Sequence, residues 1–550
     1  MKKWEIINKE KNQKLDTEEI VKILLKNRGI KTKKEITEFL NPKLSTVTAL
    51  NVGIKKSELK KSVARIKKAI KEKEQIVIFG DYDVDGVCGS AILWETLNSV
   101  GAKVLPYIPH RIDEGYGLSE KGIENLKLKI KDCSLIITVD NGIVANKAVD
   151  YAKKEGIEVI ITDHHVPTKN LPKAFSIVHT TAVCGTAVAY FLAEEFKNQH
   201  SKFKNSHLEL VALATVADLV PLVGANRALL KQGLLELRQT KRLGLLALFK
   251  EARIMPKEIG VYEIGHMIAP RLNATGRLGS AMDSLRLICT YDNKRAEELA
   301  HKLASTNKER QGVTEEAVVH AKTKVRNSKT EESLLFISDE AYEQGVIGLV
   351  AGRLVEEFYK PSIVVSKGEA YSKASARSIA GFNIIEFIRE ELALLVDVGG
   401  HPMAAGFTVE TSKLTLLEKK LKKRAKELLS EETLKRSIRI DFELPDFLIV
   451  QKMFAAIQKL QPFGMKNPEP VFLTKNLIVE DIRLVGNGGK HLKIRLKSKD
   501  LKTYFEGIAF GMGEQNGFKI GDRVDVVYNL SENEWNGNKK LQLKIKDVKK

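Results

Sequence analysis

Between residues 75 and 165 apolar runs of strand length alternate with amphipathic helical stretches, and this alternation constrains the fold more than any other feature. QIVIFGD is followed by the helical GSAILWETLNSVG, then by KVLPYIP, SLIITVDNG, the helical ANKAVDYAKKEG and EVIITDHH. Strands apolar on both faces are covered on both faces, and helical crossovers supply the cover, so the pattern predicts a parallel sheet in an α/β domain. The carboxyl ends of such strands share one edge, where ligand crevices form. Three of the runs end in acid: Asp81, Asp83 and Asp85 after the first, Asp140 in TVDNG, and Asp163 beside His164 and His165 in TDHH. Side chains distant in sequence are thereby predicted to meet.

The rest of the chain divides by texture. At 550 residues it is too long for a single core, since domains run to about 100 to 200 residues. A helical arm occupies residues 1–49 and the first α/β domain 50–290. The highly charged stretch from Asp292 to Val325 has Gly312 as its only glycine and lacks proline, which predicts a long linking helix within 291–328. A second α/β segment follows over 329–432. In 433–550, short alternating strands such as HLKIRLKS, TYFEGIAFG and RVDVVYNL predict a small β-barrel, with the OB fold the leading expectation.

Lys and Arg number 90 against 70 Asp and Glu, a formal charge of +20 that suits a polyanionic partner. Cys88, Cys133, Cys184 and Cys289 are scattered, with no CxxC pair for structural zinc. No apolar run is long enough to span a membrane and the N-terminus lacks a signal-peptide core, so a soluble, cytoplasmic protein is expected.

Carboxylates gathered at one sheet edge repel one another, so a cation must offset them unless they are protonated. Mixed carboxylate and imidazole donors suit Mn or Mg better than Zn. Asp218 in LATVADLVPLVGANR follows an apolar helical run and is a fourth acid of the set. A pair of divalent cations held this way serves in-line phosphoryl displacement, which makes phosphoester hydrolysis the expected chemistry.

DYDVDG, VDNG, TDHH and ADLVPLVGANRALL resemble the successive motifs of the DHH phosphoesterase superfamily. The remaining text is similar to one branch, the RecJ single-strand-specific DNA exonucleases: NRGI, YIPHRIDEGYGL, APRLNATGRLG, GVIGLVAGRL, SARSIAGFNI, GGHPMAAGF and QPFGMKNPEPVF occur in that order. The resemblance implies a DHH domain, a linking helix, a DHH-associated domain and an OB domain. Together they would degrade single-stranded DNA from the 5' end with Mn or Mg, in repair and recombination. By motif, Asp83, Asp85, Asp140, His164 and Asp218 are the implied metal ligands. Asp81, Asp163 and His165 would hold ligand geometry or assist leaving-group protonation. Two departures from the family pattern stand out. The chain has only KAFSIVHTTA where relatives carry a longer Asn-Pro loop, and Tyr342 and Glu343 where they carry Trp and His.

An exonuclease must also grip a strand end. Arg111 in IPHRIDEGYG, Arg277 in NATGRLG, Ser375, Arg377 and Ser378 in SARS, and His401 in GGHPMAAGF are the donors expected for a 5'-phosphate and the adjacent backbone. In the barrel, Lys490, His491, Lys493 and Arg495 with Tyr504 and Phe505 suit charge contacts and base stacking. The expected partners are single-stranded DNA, with a helicase and a single-strand-binding protein to deliver it, and the expected state is a monomer. Two rival readings are a DHH phosphodiesterase on short oligoribonucleotides or cyclic dinucleotides, against which the barrel argues, and an inactive strand-binding scaffold, against which the intact acids argue.

Overall fold

A computed structural model of the chain describes residues 2–8, 15–111, 113–198, 206–328, 332–500, 502–513, 517–535 and 537–550. In chain order, the arm contributes β1 (Lys3–Ile6). A first sheet takes β2 (Gln75–Gly80), β3 (Val104–Tyr107), β4 (Cys133–Val139), β5 (Glu158–Asp163) and β6 (Ser176–His179). A second takes β7 (Leu335–Asp339), β8 (Ser362–Ser366), β9 (Tyr371–Arg377), β10 (Leu395–His401) and β11 (Ala404–Glu410). The C-terminal part holds β12 (Ser437–Ile440), β13 (Phe442–Glu443), β14 (Phe472–Val485), β15 (His491–Lys497), β16 (Tyr504–Ala509), β17 (Arg523–Trp535) and β18 (Asn538–Lys549).

The chain forms two compact units, one of residues 48–218 and 233–436, the other of 1–47, 219–232 and 437–550. In the larger unit the first sheet has the order β3-β2-β4-β5-β6 with every pairing parallel. Ile76 to Phe79 and Leu135 to Ile137 are fully buried, as a sheet covered on both faces requires. The order sets β2, β4 and β5 side by side, so the three acid-bearing strand ends are next neighbours, about 5 Å apart per strand. The linking helix runs from Asn293 to Asn327, within two residues of its expected end, and is mostly exposed, as its charge dictates. Beyond it the second sheet, β10-β11-β9-β8-β7, is mixed: β7 and β8 are parallel and the rest antiparallel.

The smaller unit is the barrel with what packs on it. Its strands follow the order β14-β15-β16-β18-β17, and β14 pairs with β17 to close the ring, an OB arrangement. The arm does not stand by itself. Asp16 caps the helix Thr17–Asn27 by accepting from Glu19 N at 2.9 Å, and Ile20, Leu24 and Leu25 of that helix share one core with Met453, Phe472 and Tyr528. β1 adds a parallel ladder to β12. The segment 219–232 is anchored here by Arg227, fully buried, which donates to the carbonyls of Phe39 and Gln461 at 2.7 and 2.6 Å.

Candidate metal centre and phosphate pocket

The acid loop after β2 is shaped by a helix cap. Asp83 is the N-cap of the helix Val84–Asn98, its Oδ1 accepting from Asp85 N and Gly86 N at 2.9 and 3.1 Å. Asp85 in the first turn is buried and accepts from Gly185 N and Thr186 N, both at 2.7 Å. Asp140 leaves β4 in the left-handed conformation, φ 62°. Asp163, at the end of β5, spends its oxygens on its neighbours: Oδ1 accepts from His164 N and His165 Nδ1 at 2.7 and 2.8 Å, and Oδ2 from Ile143 N at 2.9 Å. Asp218 is the C-cap of the helix Leu208–Ala217.

These groups converge. His164 Nε2 lies 3.1 Å from Asp140, 3.6 Å from Asp218 and 3.7 Å from Asp85. Three sets have ligand atoms within 4.8 Å of one another: Asp140, His164 and His165; Asp85, His164 and Asp218; Asp81, Asp83 and Asp140. Asp81 and His165 thus stand within ligand reach alongside the five residues implied by motif, whereas Asp163 is committed to orienting the two histidines.

Electrostatically the carboxylates outnumber the groups that could offset them. Burial, reinforced by neighbouring carboxylates, raises Asp81, Asp83 and Asp140, and pushes Asp218 up to about 9. Oδ1 of Asp81 and Oδ1 of Asp140 are buried without a hydrogen-bond partner. Burial alone would lower the His165 imidazole, but its bond to Asp163 and the charges of Asp163, Asp218 and Asp81 hold it at about 9. Orphaned carboxylate oxygens and an imidazole within one small volume fit a pair of hard divalent cations.

A second cluster in the same unit has the opposite sign. Arg277 is held by a bond from Nη1 to Gly345 O at 3.0 Å. Burial, then Arg111, Arg310 and Arg377, bring its guanidinium down to about 10. Arg377 donates to Ser375 Oγ at 3.1 Å. Both arginines press on the GVIG segment: a Cβ at Gly345 would fall 2.5 Å from Arg277 O, and one at Gly348 would fall 2.9 Å from Arg377 Nη2. Arg111 lies over the Tyr82 ring at 4.8 Å. Not every expected donor joins them. Ser378 is buried and donates to Phe382 O at 2.6 Å. His401 is exposed on β10, in one cross-strand row with Ala404 and Arg377, two strands or about 10 Å from that arginine.

Several residues of this region carry no sequence signal of their own. Tyr116 Oη bonds His165 Nε2 at 3.2 Å and Asp140 O at 3.3 Å, His179 Nε2 bonds His165 O at 2.7 Å, and Arg310 on the linking helix joins the arginine cluster. A lone tyrosine or arginine in sequence is more often merely solvated.

On the barrel, β15 turns His491, Lys493, Arg495 and Lys497 outward. Tyr504 is exposed between Arg495 and Lys497, 4.7 and 5.1 Å from its ring. Phe505 points into the core at 6% exposure, and the second outward ring is Phe510, against His491 at 5.2 Å. The correction follows from strand alternation: residues of even number on β16 face out.

A parallel sheet with acids and imidazoles at its carboxyl edge, a mixed second sheet and an OB barrel define a phosphoesterase of the DHH class, and the comparisons agree. The DHH family N-terminal domain model matches residues 75–215, the DHHA1 domain 331–427 and the RecJ OB domain 440–547. The single-stranded-DNA-specific exonuclease RecJ of Bacillus subtilis is 36% identical over 99% of this chain and 70% of its own length. Crystal structures of Thermus thermophilus RecJ with Mn2+ and with Mg2+ superpose with TM-scores of 0.84 and 0.78 at 28% and 27% identity. They cover all of this chain and 79% and 78% of theirs. The chain belongs to the RecJ family.

Proposed function

We propose that this RecJ-family enzyme removes nucleotides from the 5' end of single-stranded DNA, with Asp83, Asp85, Asp140, His164 and Asp218 holding two divalent cations and Arg111, Arg277, Ser375 and Arg377 holding the terminal phosphate. The observation that carries the reading is the pairing, within one unit, of a cluster of carboxylates and imidazoles with a cluster of guanidinium groups. The first calls for cations and the second for an anion, and a metal-dependent nuclease acting at a phosphorylated end uses both. Bound Mn or Mg supplies water activation and charge neutralisation at the phosphoryl group.

The chain's own residues do the rest. Asp163 fixes the ring orientation of His165 and the backbone of His164. His165, whose Nδ1 is bonded to Asp163, is the group we assign to donate a proton to the departing oxygen. Arginines on three different elements grip a phosphate by parallel charge-assisted bonds. The outward cations and rings of β15 and β16 form a sequence-tolerant track for a single strand. Among the described residues no helix is long and apolar enough to cross a membrane; we read the enzyme as cytoplasmic. We read it as monomeric, supplied by a helicase or a single-strand-binding protein, and serving repair and recombination.

An end-labelled assay tests this. With Mn or Mg, 5'-phosphorylated single-stranded DNA is shortened from its 5' end, while duplex and EDTA-treated reactions are inert. Equal cleavage of duplex, or activity surviving EDTA, defeats the reading.

A further inference from the structure

We propose that Asn141 is a positioning residue that ties the substrate loop, described over residues 108–111 and 113–118, to the metal-binding edge of the sheet, so that Arg111 meets the strand end in register with the acids. The proposal rests on the reading of Arg111 as a phosphate ligand. Asn141 directly follows Asp140 and is 1% exposed. Its side chain touches no expected substrate position; it makes three hydrogen bonds to backbone. Nδ2 donates to Val139 O at 2.8 Å and to Phe79 O at 3.2 Å, joining the ends of β4 and β2. Oδ1 accepts from Leu118 N at 3.1 Å, which closes the far end of the loop.

The loop is also braced from within. Glu114 accepts from Tyr107 Oη at 2.6 Å and from His110 N at 3.2 Å, but these bonds give the loop its shape without fixing it to the acids. Between Glu114 and Leu118 lie Tyr116, whose hydroxyl reaches His165 and Asp140 O, and Gly117. Gly117 has φ 64°, and a Cβ there would stand 3.1 Å from the Cβ of Asn141, so loop and asparagine are in direct apposition. The chemistry requires an amide. Two donors must meet two carbonyls while an acceptor meets an N–H, and a carboxylate would set a further negative charge against those carbonyls beside Asp140. Truncation leaves Leu118 N without its acceptor and takes a donor from Phe79 O and from Val139 O, which keeps only Asp81 N at 3.2 Å, so the tie made by the Tyr116 hydroxyl is left to hold the loop to the edge by itself.

Misplacing a binding group by 1 Å costs on the order of 100-fold, so the effect belongs in end recognition. Asn141→Ala and Gly117→Ala, which perturb the joint from opposite sides, should each lower the ratio of cleavage rates on 5'-phosphorylated over 5'-hydroxyl strands at least about tenfold. Calorimetric Mn2+ affinity should stay within about twofold of the parent, because the metal ligands keep their own backbone anchors. Arg111→Ala is run beside them and should abolish the same preference. If Arg111→Ala leaves the preference intact, the phosphate reading falls and takes this proposal with it. If Arg111→Ala abolishes it while the other two variants do not, the Asn141 proposal alone is overturned. A parallel fall in Mn2+ affinity also overturns it, since Asn141 would then support the whole edge. Should Asn141→Ala fail to fold, Gly117→Ala, which adds one methyl and removes no hydrogen bond of Asn141, decides by the same two readouts.

Discussion

The carboxylate cluster and the arginine cluster of the larger unit pose one electrostatic problem with opposite signs, and the chain solves it differently in each. The acids sit where the backbone dictates: a helix N-cap, a helix first turn, two strand ends and a helix C-cap. Asp83, Asp85 and Asp163 are further pinned by main-chain N–H groups. The arginines reach inward on long side chains from a loop, a short helix, the linking helix and β9, and are braced by carbonyls and hydroxyls. Metal ligation tolerates little displacement and is built on main chain, whereas a phosphate can be gripped by flexible forks. A third charged cluster, around Glu95, supplies the contrast of a fully paired one. Arg242 donates to both its oxygens at 2.6 and 2.8 Å, and His207 Nε2 lies 2.9 Å from Oε2.

The sharpest break in the comparison is Asp140→Asn. It should cost about a thousandfold or more in turnover while raising the melting temperature in EDTA, because one of several repelling carboxylates is gone. Thermal unfolding with and without Mn2+ checks this, and a fall in the EDTA melting temperature would mean that the acids do not strain the metal-free protein. Glu95 should behave oppositely. Burial would raise its carboxyl, but Arg242 and His207 hold it at about 2, against an ordinary 4.5. That stabilisation, about 3 kcal/mol, is fully present above pH 4.5 and is lost as pH falls toward 2. Urea unfolding between pH 6 and 3 should show a steeper acid loss in the parent than in Glu95→Gln.

Arg377→Ala comes next, with an expected loss of about 30-fold in the preference for a 5'-phosphate and no change in Mn2+ affinity. Equal losses in both would merge the two clusters into one site. Smallest is the barrel: Tyr504→Ala or Phe510→Ala should each weaken binding of a long single strand about tenfold and leave short oligonucleotides unaffected. Fluorescence anisotropy with strands of graded length measures it.

The acids were legible because strand-end position is a property of local pattern: an apolar run, then Asp, places the carboxylate at the sheet edge whatever else the chain does. The linking helix was legible for the same reason, from composition over 35 residues. Phe505 was misplaced because its direction depends on the alternation of β16, which adjacency to Tyr504 does not reveal, and Phe510 was missed because it lies in the turn just beyond that strand. Asn141 reads as one letter of a motif until its three backbone partners, from β2, β4 and a distant loop, are seen together. The union of 1–47, 219–232 and 437–550 in one unit likewise depends on contacts such as those of Arg227, with which no periodicity is associated.

By itself, then, the order of residues determined the class of the longer elements, though not of β1 in the arm, the sign and place of the charges at the strand ends, and the family. Those follow from local propensity and from one-dimensional spacing. Only the tertiary structure decided which acids share a cation-sized volume, which arginines gather beside one another, and which neutral side chain bonds the ends of β2 and β4 to Leu118. Distances across a sheet edge are set by strand order and packing, which span the whole chain.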